Sequence, residues 1–265
     1  MMIRNVLPII MMLGVFFWGC DGTQDPVVPD DQEVPIVEPT LADRVIDNCH
    51  AVQSAAVRFA LENENEFPHD INDVSAGGHT LLELLPDSIC LENPATGECT
   101  EPVDYTAWRS GQTAYRPLYI YDESLGRRFA LGYVITGFAE SARCITLSNL
   151  SPSYYEKEER TIENCFAVMR AAEAFASENG GLYPQTTSAE KTPLGHTLID
   201  LLPEGMRLEN PYHLCRTEPI DGAAAVHGET GYMVCVNGEH QPAGYVITGV
   251  GDTYDFIIQI CHTCE

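Results

Sequence analysis

Apolar positions along this chain pass through one succession of patterns and then pass through it again. Leu41, Val45, Ile46, Cys49, Val52, Ala56 and Phe59 recur at three- and four-residue steps, which predicts a helix with one apolar face. Ile162, Cys165, Phe166, Met169, Ala172 and Ala176 do the same, with Phe175 beside the stripe. Both stripes end ahead of an aromatic-proline pair, Phe67-Pro68 and Tyr183-Pro184, where proline disfavours helical geometry in the residue before it. Thr80-Leu81-Leu82-Glu83 and Thr197-Leu198-Ile199-Asp200 then place a hydroxyl three residues before a carboxylate, the spacing of a capping box. A short helix of about two turns is expected after each cap, closed by Pro86 and Pro203. Beyond Asn93-Pro94 and Asn210-Pro211, β-branched and aromatic runs predict strands. These are Ala114-Tyr115, Leu118 to Tyr121, Phe129 to Thr136 and Cys144 to Leu147, then Gly231 to Val236, Gly244 to Thr248 and Phe256 to Ile260.

Whole phrases recur as well, about 115 residues apart. Gly78-His79-Thr80-Leu81, Leu91-Glu92-Asn93-Pro94, Thr100-Glu101-Pro102 and Gly132-Tyr133-Val134-Ile135-Thr136-Gly137 return in the same order. Their counterparts are Gly195-His196-Thr197-Leu198, Leu208-Glu209-Asn210-Pro211, Thr217-Glu218-Pro219 and Gly244-Tyr245-Val246-Ile247-Thr248-Gly249. Blocks of this length imply one fold duplicated, each copy large enough to bury its own core. The expectation is an α+β protein with one domain over 41–150 and a second over 151–265. In each, an N-terminal helix and a short capped helix pack on a small antiparallel sheet. His79 and His196 are the histidines that the two copies share, and they stand just outside the short caps.

Ahead of the first copy, Arg4 precedes an apolar run from Val6 to Trp18. At about 1.5 Å per residue that run is short for a bilayer core of ~30 Å and suits the apolar part of an export signal. It ends in Phe17-Trp18-Gly19-Cys20, which resembles the lipobox of bacterial lipoproteins, with Phe17 where Leu or Val is commoner. The resemblance implies a signal peptide over 1–19 and a lipid-carrying Cys20, held by more than one acyl chain. Residues 20–40, rich in Asp, Glu, Pro and Val without helical or strand period, read as an acidic tether. The implied address is a membrane face outside the cytoplasm, with the leaflet left open.

The net charge of −25, from 39 acidic and 14 basic side chains, argues against nucleic acid and anionic lipid headgroups as partners, because both demand clustered Lys and Arg. Of 10 cysteines, nine remain for pairing once Cys20 is set aside, and exported cysteines are usually paired. Position within each copy suggests disulfides from Cys49 to Cys144, Cys90 to Cys99, Cys165 to Cys261 and Cys215 to Cys235, leaving Cys264 over. Cys261-His262-Thr263-Cys264 also has the spacing of a thiol-redox or zinc motif, but no helical pattern follows it and the other histidines stand singly.

The helix exit Asn179-Gly180-Gly181-Leu182-Tyr183-Pro184, with Leu208-Glu209-Asn210-Pro211-Tyr212 and Tyr245-Val246-Ile247-Thr248-Gly249, resembles the globular part of type IV pilins and major pseudopilins. That resemblance covers both copies and implies two pilin-like domains in tandem. It departs in lacking the apolar half-helix by which pilins build filaments, so assembly into a pilus core is not implied. Major pseudopilins resemble calcium binders through acidic residues of the last loop, where this chain has Asp252 and Asp255. Calcium takes about six to eight oxygens, so those two carboxylates are the start of a set and no cofactor is required.

No nucleophile, base and orienting group stand in a recognisable motif, and no Gly-rich phosphate loop or paired histidine ligand set is present. The expectation is a non-enzymatic, lipid-anchored envelope protein serving as scaffold or binding surface. An accessory part in a type IV pilus or type II secretion system, contacting pilin-like or secretion proteins, is the first alternative. A thiol-redox protein using Cys261 and Cys264 is the second. The copies diverge most in the loops from Asp104 to Arg116 and from Ile220 to Thr230, where binding would be tuned.

Overall fold

The computed structural model describes residues 38–86, 90–122, 126–253 and 255–264. The expected signal segment, Cys20 and most of the acidic tether lie outside the described residues. Pro39–Glu265 forms one compact unit.

The first half opens with α1, Leu41–Glu62, started by a capping box in which Thr40 Oγ1 accepts the Asp43 N–H and the Asp43 carboxylate accepts the Thr40 N–H. Strands β1 (Leu91–Glu92) and β2 (Cys99–Glu101) make a two-stranded sheet. Then β3 (Val103–Asp104), β4 (Thr113–Asp122), β5 (Arg127–Ala139) and β6 (Ala142–Ser148) form a four-stranded sheet in the order β3-β4-β5-β6, parallel only at β3 and β4. The second half repeats the sequence of elements with α2 (Glu156–Glu178), β7 (Leu208–Glu209), β8 (Arg216–Glu218), β9 (Ile220–Asp221), β10 (Thr230–Val236), β11 (Pro242–Val250) and β12 (Phe256–His262).

This corrects the expected fold class. Among the described residues there are two α-helices and twelve strands in four sheets, with 31% strand against 26% helix. The molecule is mostly β, where two tandem pilin-like α+β domains were expected. Two local causes account for the shift. The short capped helices shrink to single 3-10 turns, Leu82–Leu84 and Ile199–Leu201, because Leu85 and Leu202 precede proline and are driven to extended geometry, with ψ of 159° and 161°. The stretches around each Asn-Pro pair add a two-stranded sheet and a parallel edge strand to each half.

Each helix lies on its own four-stranded sheet. Val45, Cys49, Val52, Ala56 and Phe59 of α1 share a core with Tyr115, Tyr133 and Ile135. Ile162, Cys165, Val168 and Ala172 of α2 share another with Tyr232, Tyr245 and Ile247. Close approach depends on one glycine per sheet. A Cβ on Gly137 would stand 2.6 Å from Val45 Cγ1, and one on Gly249 would stand 2.8 Å from Cys165 Sγ. The halves meet where Phe138 of β5 stacks on Phe166 of α2, ring centroids 6.0 Å apart, and where Thr106 donates its hydroxyl to the Ile257 carbonyl at 2.9 Å.

Candidate functional site

Two buried constellations occur at matching places in both halves. Glu101 accepts the Thr113 N–H at 2.6 Å and the Asn93 amide at 2.9 Å, while Glu218 accepts the Thr230 N–H at 2.7 Å and the Asn210 amide at 3.3 Å. The thiols of Cys49 and Cys165 point at the hydroxyls of those same threonines, at 4.0 and 3.9 Å. Burial pushes both thiols up to about 12 and raises both glutamates. A thiol so shielded stays protonated and unreactive. These groups tie the loops to the sheets.

His79 and His196 also have matching partners. Nδ1 of His79 lies 2.9 Å from Glu62 and that of His196 lies 3.0 Å from Glu178, while Ser75 and Thr192 give their hydroxyls to the same carboxylates. Glu62 and Glu178 are the last residues of α1 and α2, where the helix dipole disfavours negative charge. The histidines and hydroxyls offset that penalty and pin the loop to the helix end.

A cleft of about 560 Å³ lies between the halves, lined mainly by residues that they do not share. Its floor is Arg116, 4% exposed, bonded to Glu158 and 3.4 Å from Glu159. Glu159 is bonded in turn to Arg143, so two arginines and two glutamates neutralise one another. One wall is the end of the β4–β5 hairpin, which runs longer than its counterpart: β4 and β5 have 10 and 13 residues where β10 and β11 have 7 and 9. The extra length carries Arg128 to Asp255 of the second half, at 2.8 Å, and over the ring of Tyr119, at 5.0 Å. His69 stacks on Tyr119, its Nδ1 3.2 Å from the tyrosine hydroxyl and its Nε2 3.3 Å from Glu66. Asp70, Asp104, Tyr105 and Phe256 also line the space. Burial, and then the nearby Asp255, push the Tyr119 phenol up to about 12. Asp104 accepts the Ile71 N–H at 3.0 Å, yet burial raises its carboxyl, with Asp70 adding to the rise.

Sequence-predicted residues divide around this cleft. Asp255 lines it, but its carboxylate binds Arg128 and the Thr253 hydroxyl, while the Asp252 N–H lies 3.4 Å from Glu158. Of the two expected calcium ligands, Asp255 thus has its carboxylate engaged by protein groups, and among the described residues no group of three or more His, Cys, Asp or Glu is placed to hold a metal. Of the two divergent loops, the first supplies Asp104, Tyr105, Tyr115 and Arg116 to the lining and the second supplies none of the lining residues. His69, Arg128 and Glu158 were missed by motif reading. Comparing the copies position by position marks several of the lining residues, because His69 aligns with Gln185, Tyr105 with Gly222 and Arg116 with Met233.

Cysteine pairing is partly as expected and partly not. Cys90 is bonded to Cys99, Cα atoms 5.7 Å apart, and Cys235 is bonded to Cys264, 5.5 Å apart. Cys49, Cys144, Cys165, Cys215 and Cys261 are free, which corrects the expected bridges Cys49–Cys144, Cys165–Cys261 and Cys215–Cys235. Cys165 sits over Gly249, which pairs with Ile258, whereas Cys261 pairs with Val246. At about 3.3 Å per residue the two sulfurs lie near opposite ends of the strand, beyond the reach of a disulfide. Cys264 reaches Cys235 because the chain folds back over β11, where the Thr263 hydroxyl meets the Ala243 carbonyl at 2.5 Å. Cys261 and Cys264 therefore do not pair with each other.

Comparison of the chain with models of protein families, with curated proteins and with solved structures finds no match in any of the three.

Proposed function

We propose that this protein is a non-enzymatic binding protein of the cell envelope, exported, held to a membrane through a lipid on Cys20, and working through the cleft between its halves. The observation that carries the binding role is the asymmetry of the duplication. Buried groups that hold the fold are kept in both halves, as with Glu101 and Glu218 or Cys49 and Cys165. Several residues of the cleft are not kept, Arg116 standing opposite Met233 and Tyr105 opposite Gly222, whereas Asp104 and Tyr115 have the counterparts Asp221 and Tyr232. Selection on folding alone gives no reason for that difference.

Binding is favoured over catalysis by the state of the cleft's groups. Tyr119, His69 and Glu66 form a chain that resembles a proton relay, but a phenol pushed up to about 12 keeps its proton at neutral pH and makes a poor base or nucleophile. The address is supported by the apolar run ending at Gly19-Cys20 and by the acidic tether behind it.

Labelling of expressing bacterial cells with radioactive palmitate tests the address. The wild type should carry the label and sediment with membranes, and Cys20→Ser should do neither; an unlabelled wild type overturns the anchor. Thermal melting of the protein in isolated envelopes, with and without a small-molecule extract of the same cells, tests the cleft. The extract should raise the wild-type Tm and leave that of Tyr105→Gly unchanged, and equal responses remove the cleft from the reading.

A further inference from the structure

We infer that copies of this chain associate head to tail, the outer face of α1 in one copy covering the open face of the second four-stranded sheet, β9 to β12, in another. The inference is independent of the cleft and of the lipid on Cys20.

Helices and sheets alternate as layers in this molecule, and each end of the stack is an open surface. The first four-stranded sheet is covered on both faces. Tyr115, Tyr133 and Ile135 point to α1. On the other face Leu118 and Val134 pack on Tyr155, Phe138 stacks on Phe166 and Arg116 binds Glu158, all in α2 or just before it. The second sheet has Tyr232, Val234, Tyr245 and Ile247 packed towards α2, so Met233 and Val246, which alternate with them, point away from it. Thr263 crosses that outer face at Gly244, as Leu150 crosses the first sheet at Gly132. Met233 and Val246 hold the places of Arg116 and Val134, which are 4% and 1% exposed beneath α2, yet they are themselves only partly buried. A sheet face left to solvent normally carries polar side chains at such places.

At the other end of the stack stands α1. The stripe by which α2 meets the first sheet runs through Tyr155, Glu159 and Phe166. On α1 the same stripe is Pro39, Asp43 and His50, and helical spacing continues it to Val57 and Leu61. Those two are 43% and 74% exposed, where α2 has Glu173 and Ser177. With Phe67 and Leu131 they border an apolar groove of about 310 Å³. Seating a second copy's α1 on the second sheet as α2 sits on the first brings the two open surfaces together. Ala42, in the place of Glu158, then lies over Met233, in the place of Arg116, so an apolar pair replaces the internal ion pair. Asp43, in the place of Glu159, is already engaged by the Thr40 cap, and no charge is buried without a partner. The two surfaces differ, which makes the contact heterologous and lets it repeat from copy to copy.

Sedimentation velocity of the full-length protein in detergent micelles, with photo-crosslinking from benzoylphenylalanine placed at position 61, tests the inference. The mass should rise with protein concentration past that of a dimer, each contact having a Kd of ~100 µM or tighter. Crosslinked peptides should join position 61 of one copy to β10 or β11 of another. Val57→Glu, which copies Glu173, and Met233→Arg, which copies Arg116, should each weaken association at least tenfold with unchanged urea midpoints. Cys20→Ser should associate like the wild type, and association lost with the lipid overturns the inference. So do a protein that stays monomeric, a closed dimer crosslinked from α1 to α1, variants that associate like the wild type, or crosslinking in expressing cells only to a different protein. A wild type that carries no palmitate yet associates in this way loses the anchor and keeps the stacking.

Discussion

Tyr105 and Gly222 occupy the same backbone position in the two halves: both have positive φ, 78° and 112°, and both give their N–H to a tyrosine carbonyl, that of Tyr115 and of Tyr232. The left-handed region disfavours any residue with a Cβ by about 1–2 kcal/mol. Nothing stands within 4 Å of a Cβ built on Gly222, so the penalty there is conformational and not steric. Gly222→Ala should therefore lower stability by about 1 kcal/mol, while Tyr105→Gly should change it by less than that, strain relief offsetting the lost ring contacts. Urea midpoints of the two variants check the pair, and a strongly destabilised Tyr105→Gly would show the ring to be structural.

Glu101 and Glu218 are both 1% exposed and each holds a strand N–H and an asparagine amide. Removing either carboxylate leaves two buried donors unpaired, at about 2–4 kcal/mol by the usual desolvation penalty. Glu101→Ala and Glu218→Ala should be equally destabilising, and Glu98→Ala, at an exposed turn, should be close to neutral. Unequal losses would mean that the matching constellations do unequal work.

Thiol chemistry should follow burial. With a small alkylating reagent at neutral pH, the exposed Cys215 should react first, Cys144 and Cys261 more slowly, and the buried Cys49 and Cys165 only on unfolding, since their thiols are pushed up to about 12. Mass spectrometry of the labelled, non-reduced protein should find Cys90 with Cys99 and Cys235 with Cys264. Native-state labelling of Cys165, or a bridge from Cys165 to Cys261, would contradict the arrangement.

Acid sensitivity should have a component from the two helix ends. His79 beside Glu62, and Thr192 and His196 beside Glu178, hold those carboxyls below their ordinary value of 4.5. A depressed carboxyl contributes stability that is present above about 4.5 and is lost as pH falls through the folded value. Both groups are partly solvated, so the effect is small and best read in the double variant Glu62→Gln with Glu178→Gln. Its urea midpoint should fall less steeply between pH 5 and about pH 3 than that of the wild type. An identical slope would assign no such role to these pairs.

Local rules that act within a few residues were legible in the chain. The three- and four-residue stripe placed α1 and α2, the Asn- and Gly-containing turns after Glu62 and Glu178 ended them, and β-branched runs placed the long strands, because each depends on neighbours in sequence. The duplication was legible for the same reason, as an identity of ordered phrases. Tertiary structure alone decided the balance of strand over helix, since one turn before Pro86 and one before Pro203 were too short to grow, and the strand pairs around Glu101 and Glu218 needed partners distant in sequence. It also decided the cysteine pairing, which depends on strand register. The cleft belongs to the same class: Arg116, Arg128, Glu158 and Asp255 come from separate segments and become neighbours only when the second half packs on the first. Charges that far apart in sequence carry no local pattern, and their meeting is a property of the packed molecule.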